Sequence, residues 1–144
     1  MATRQEVADA AGCTPEFISN CVNRNVLLTP LGETTAGVAR DFSFDNALEL
    51  AFIAALVVIG YSPIDAAIKA AEWRALEAEG ELLAFWAENA RTRQGVLMSK
   101  APKDLAALAA TFQDRSGRHY EPATALAIIH VREIVKRVEA LFAD

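Results

Sequence analysis

The stretch EVADAAGCTPEFISNCVNR, residues 6–24, decides the fold. Two short segments of helical periodicity meet at Gly12. Thr3 is followed three residues later by Glu6, a pairing in which each side chain satisfies a free backbone N–H at a helix start. Val7, Ala8, Ala10 and Ala11 continue this first helix until Gly12 ends it. Beyond the turn, Thr14 is placed to cap a second helix. Pro15 takes its first position, where a missing N–H removes no intrahelical bond. Phe17, Ile18, Cys21 and Val22 then recur at helical spacing. Helices joined by so tight a turn cross closely, which requires a small residue where they touch, and Ala8 meets that requirement.

Working outward, residues 27–30 leave the second helix. Residues 31–39 are polar and glycine-containing and read as a loop or a short hairpin. Ser43 is the next N-cap, with Asp45 and Asn46 in the first turn, where negative charge is favoured. Residues 47–59 form a helix that is apolar nearly all round, so it is expected to be buried on most sides. It is either core beneath the C-terminal residues or a dimer interface. Gly60 ends it, and Ser62, Pro63 and Asp65 restart a helix to about residue 78. Residues 82–87 and 95–99 read as two strands joined by the charged stretch 88–94, or the first extends the preceding helix beyond a kink. Pro102 and Asp104 open a helix to about Phe112, and 113–122 is a polar loop. Residues 125–131 make a compact strand-like run, and 132–142 an amphipathic helix with Ile134, Val135, Val138, Leu141 and Phe142 on one face.

With 144 residues, 53% of them apolar and 23% charged, the chain has material for one packed domain, or for two small units sharing a core. No apolar run reaches the roughly 18 residues of a membrane span, and the N-terminus has no basic-then-apolar leader pattern. A soluble cytoplasmic protein is expected, with no membrane partner. Cys13 and Cys21 lie eight apart with no histidine nearby. A structural zinc site needs about four ligands, so both read as small buried hydrophobes, and no metal or cofactor is expected. His130, in an apolar run, reads as a core or edge histidine, and Trp73 and Trp86 as packing residues. No Ser-His-Asp or Cys-His set, paired-carboxylate pocket or phosphate-binding glycine loop is recognisable, so no enzyme is expected.

The opening stretch fits the helix-turn-helix pattern, with Val7, Ala11, Cys13, Ile18 and Cys21 at its apolar positions. The segment beyond residue 38 is more specific. Residues 39–68, ARDFSFDNALELAFIAALVVIGYSPIDAAI, resemble the wing exit, the capping step and the helix–Gly–aromatic–Ser–helix corner of MerR-type winged helix-turn-helix proteins. Arg40 matches the wing arginine, Phe42 the wing aromatic, Ser43 the cap, and Gly60, Tyr61 and Ser62 the corner. The resemblance covers about half of the chain. It implies a winged helix-turn-helix over residues 1–78. Residues 79–144 lie beyond it and read, on their own pattern, as a small α/β or helical unit open to a dimerisation or interaction role, so the whole is expected to be α+β and mostly helical.

The resemblance also implies that residues 14 to about 23 enter the major groove of DNA while 31–40, the wing, reach the flanking backbone. The groove-facing candidates are Glu16, Phe17, Ser19, Asn20 and Asn23, with Arg24 near the helix end. Asparagine reads adenine with two hydrogen bonds, serine bonds base or phosphate, and glutamate accepts from cytosine. Thr14 and the helix start can hold a phosphate, as can Thr34 and Thr35 from the wing. Arg40 contacts phosphate, or else pairs with Asp41 or Asp45.

The charge pattern departs from the family. The chain carries a formal net charge of −5, and its first 45 residues hold three arginines against six acids. Glu16 and Ser19 stand where family members commonly carry arginine. Residues 91–118 hold six bases and two acids, which read as a solvated loop or as contacts to phosphate or a partner. No heptad run and no cysteine follows residue 80, which removes support for metal sensing. The expectation is a sequence-specific duplex-DNA-binding transcriptional regulator, weak per subunit and paired as a homodimer. The alternatives are a phage or mobile-element accessory DNA-binding protein, for recombination directionality or packaging, and a protein-interaction module built on the same fold.

Overall fold

The computed structural model describes residues 1–74, 83–86 and 126–143. Among them are five helices: α1 (Arg4–Ala11), α2 (Pro15–Asn23), α3 (Phe44–Val58), α4 (Pro63–Arg74) and α5 (Val131–Phe142). Two short strands, β1 (Leu83–Trp86) and β2 (Leu126–Ile129), form one antiparallel sheet. The protein is therefore mostly helical. No described helix is long and apolar enough to cross a membrane. Residues 95–99, 102–122 and the basic stretch 91–118 lie outside the described residues, as do the side chains of Trp73 and Trp86.

The chain divides into two compact units, Met1–Ala75 with Glu133–Asp144, and Leu76–Arg132. The last twelve residues, expected with the C-terminal unit, group with the first. A long-range contact accounts for this: Phe142 of α5 meets Phe44 of α3 edge-on, with ring centroids 5.7 Å apart at 76°, a favoured aromatic geometry. Val138, one turn earlier, is fully buried.

Local signals set the helix starts. The Thr3 hydroxyl accepts from the Glu6 N–H, and the Glu6 carboxylate accepts from the Thr3 N–H at 2.8 Å. Gly12 closes α1 with φ +69°, a left-handed conformation that glycine adopts without a Cβ penalty. Thr14 caps α2, accepting from the Phe17 N–H at 3.1 Å, with Pro15 in the first turn. Asn25, at φ 53°, ends that helix, and Val26 N–H reaches back to the Cys21 carbonyl at 2.9 Å. Ser43 and Asn46 make a second reciprocal cap at the start of α3.

Helix α3 is the core of the first unit. Leu48, Leu50, Phe52, Ile53 and Leu56 are fully buried, with Val7 and Ala8 of α1 and Ala66, Ala67 and Ala70 of α4 also buried. The alanines let both neighbours approach α3 closely, and each large side chain so buried contributes about 1.5–3 kcal/mol. Of the expected helix-turn-helix core, Val7, Ile18 and Cys21 are buried, while Ala11 and Cys13 are half-buried. The end of α3 emerges at Val58, 85% exposed.

Residues 31–40 contain no strand; of the two alternatives they are a loop, with one turn in which Val38 N–H bonds the Thr35 carbonyl at 3.0 Å. The β pairing in this region is a single bridge, Ala2 with Phe42, joined by bonds of 2.9 and 2.8 Å.

In the second unit, β1 pairs with β2 in the register Leu83–Ile129 to Trp86–Leu126. Of the two alternatives for 82–87, the described residues Leu83–Trp86 take the strand, and within the 125–131 run the strand covers Leu126–Ile129. Ile129 is buried and Ile128 exposed, the alternation of a half-covered strand. His130 is exposed rather than core.

Candidate nucleic-acid interface

An open groove of about 590 Å³ lies in the first unit. Its lining comes from the start of α1 (Thr3, Arg4, Gln5), one side of α2 (Ile18, Ser19, Val22, Asn23) and the end of the 31–40 loop with Phe42 (Ala39, Arg40, Phe42). The Ala2–Phe42 bridge builds it. The bridge sets the start of α1 beside the end of the loop, and both Arg4 and Arg40 line the groove.

Both arginines are held by neutral acceptors. Arg4 Nη1 donates to Ser19 Oγ at 2.7 Å, and Arg40 Nη1 donates to the Gly32 carbonyl at 2.7 Å. Among the described residues neither forms an ion pair, so Arg40 is not paired with Asp41 or Asp45. Among the described residues, no aspartate or glutamate lines the groove. Two of the nearby acids are engaged elsewhere, while Asp41, between Arg40 and Phe42 in sequence, is exposed. Glu6 is committed to the cap of α1, and its bonds from Thr3, the backbone N–H foremost, hold its carboxyl below the usual range. Asp9 accepts from Gln5 Nε2 at 2.9 Å. In a chain of net charge −5, the two formal charges among the described lining residues of this concavity are therefore both positive.

Of the ten residues expected at the site, the groove brings together Ser19, Asn23 and Arg40. Glu16 and Asn20 are exposed on α2 and Arg24 is exposed as its C-cap, all at helical spacing with Asn23, so the four share one outward face beside the groove. Phe17 is half-buried. Thr14 is exposed, with its hydroxyl accepting the capping bond. Thr34 and Thr35 are exposed on the loop, away from the groove lining. Sequence reasoning missed Thr3, Arg4 and Gln5. The available signal was that Arg4 is one of only three bases in the first 45 residues.

Two buried polar residues of α3 hold the loop in place. Glu49, 3% exposed, accepts from Leu28 N–H at 2.6 Å and Thr29 N–H at 3.0 Å, one with each carboxylate oxygen. Asn46 donates to the Thr29 hydroxyl at 2.9 Å and to the Pro30 carbonyl at 3.1 Å. These bonds pin the segment from which residues 31–40 depart, and Arg40 then closes the loop onto Gly32.

Burial pushes both thiols up, Cys21 to about 11 with Cys13 adding to the effect. A thiol raised on folding stabilises the fold fully below its unfolded value near pH 8.5. That contribution is lost as pH rises through about 11. Two results are expected. Cys21 alkylates with iodoacetamide only on unfolding, and the unfolding free energy falls through this alkaline window less in Cys21→Ala than in the parent. Rapid labelling of native Cys21 contradicts this assignment.

No protein-family model matches the chain, and no curated protein matches it in sequence.

Proposed function

We propose that the chain binds duplex DNA sequence-specifically, as a small transcriptional regulator acting as a homodimer, through a winged helix-turn-helix of MerR type. In this reading α2 enters the major groove and the 31–40 loop serves as the wing. The carrying observation is the groove between α2 and the loop, whose described lining holds two arginines and no carboxylate. A phosphodiester backbone is the ligand that such a concavity suits: it is anionic, continuous, and flanked by bases that an adjoining helix can read. Asn20 and Asn23, with amide groups able to bond adenine edges, supply the reading face, and Glu16 restricts it by repelling phosphate. Two arginines per subunit give weak sequence-independent affinity, which is why the reading includes a second copy.

The test is selection of bound duplexes from a random pool at low salt and again near physiological salt. A recovered motif with two half-sites is expected. Asn20→Ala then relaxes preference at one position while overall affinity changes little. A pool that shows no enrichment and no salt-dependent retention contradicts the reading and favours a module that binds protein.

A further inference from the structure

We propose that Arg4 is a phosphate ligand of this interface and that Ser19 acts through it, as a positioning residue rather than as a contact to DNA; this rests on the duplex-DNA reading above. The serine hydroxyl decides the roles. Ser19 Oγ donates its one hydrogen to the Pro15 carbonyl at 3.1 Å, four residues back on the same helix. The same oxygen accepts from Arg4 Nη1 at 2.7 Å. With its hydrogen committed to the backbone, the hydroxyl is an acceptor only. Phosphate oxygens are acceptors as well, so Ser19 in this state has nothing to offer them. It can orient a guanidinium, and it does.

Arg4 is the complementary partner. A guanidinium has five N–H donors in a planar fork, and Ser19 takes one of them. The bond fixes a long side chain across residues fifteen apart in sequence, which removes rotamer freedom that phosphate binding would otherwise have to remove. The remaining donors lie in a groove shared with Arg40, whose described lining holds no carboxylate to compete for them. Arg4 thus supplies a backbone contact that α2, with Arg24 as its only neighbouring base, lacks.

The test is a double-mutant cycle on binding to a short mixed-sequence duplex, read as salt dependence, with Arg4→Ala, Ser19→Ala and the double variant. Arg4→Ala is expected to weaken binding about tenfold and to lower the slope of log K against log salt by about 0.9, the value of one phosphate contact. Ser19→Ala is expected to weaken binding several-fold at unchanged slope, and to add nothing once Arg4 is gone. Ser19→Thr, which keeps the hydroxyl, restores binding. A second readout needs no DNA: inorganic phosphate added to ¹⁵N-labelled protein shifts the Arg4 Nε–H signal, and less so in Ser19→Ala. The proposal is overturned if Arg4→Ala keeps the parent slope, or if the two single effects multiply. In either case duplex binding by the parent leaves the DNA reading standing. If phosphate moves the Arg4 signal while no duplex binds, the anion site stands and the DNA reading falls. If neither ligand has any effect, both fall.

Discussion

Glutamine in place of Glu49 lowers the stability of the first unit by about 2–3 kcal/mol, and alanine lowers it further. The reason is geometric. The two oxygens of this buried carboxylate each accept one backbone N–H, from Leu28 and Thr29. Glutamine keeps one acceptor and turns an NH₂ donor toward the other amide, so that one buried N–H faces a donor. Alanine orphans both amides and leaves a void beside them. Leucine fills the void and still leaves both amides without a partner, so it does not rescue. Urea unfolding checks this as a fall in midpoint at unchanged slope. The loop departs from the pinned segment, so duplex affinity falls with stability. A midpoint equal to the parent's would show that water replaces the carboxylate at little cost.

Removing both groove arginines, in Arg4→Ala with Arg40→Ala, is expected to lower duplex affinity on the order of a hundredfold at about 0.1 M salt. Both lie in the groove, neither is ion-paired among the described residues, and each keeps donors beyond the one it uses. Stability changes far less, because Arg4 is exposed and Arg40 half-buried. Arg40 also ties the loop to Gly32, so part of its effect on affinity comes through loop order. Arg40→Lys separates the two roles. It keeps the charge and gives up the planar fork, so it retains the salt dependence while losing part of the affinity.

The helical plan of the first 74 residues was legible because its signals are local. Thr3 with Glu6, Thr14 with Pro15, and Ser43 with Asn46 each declare a helix start within four residues, and Gly12 and Gly60 mark ends. The polar role of α3 was not legible. Its apolar pattern announces burial, yet nothing local announces that Asn46 and Glu49 are buried with it, because their partners lie sixteen to twenty-one residues away. Arg4 was missed for the same kind of reason: its partner is fifteen residues on, and the groove is lined by segments far apart in sequence. The grouping of Glu133–Asp144 with the first unit rests on contacts such as that of Phe142 with Phe44, far apart in sequence. Ser19 shows the converse. Its place on α2 was readable, but its chemistry was not, because the direction of its one hydrogen depends on Arg4 and Pro15 together.

If the groove between α2 and the loop is where the chain meets DNA, its two arginines set the salt dependence of binding. The most direct test compares duplex binding by the parent and by the Arg4→Ala, Arg40→Ala double variant over a range of salt. The slope of log K against log salt is expected to become shallower by about 1.8, at about 0.9 for each phosphate that is no longer neutralised. A double variant with the parent's slope would place the DNA interface elsewhere on the chain, and a parent with no salt-dependent binding would contradict the DNA reading altogether.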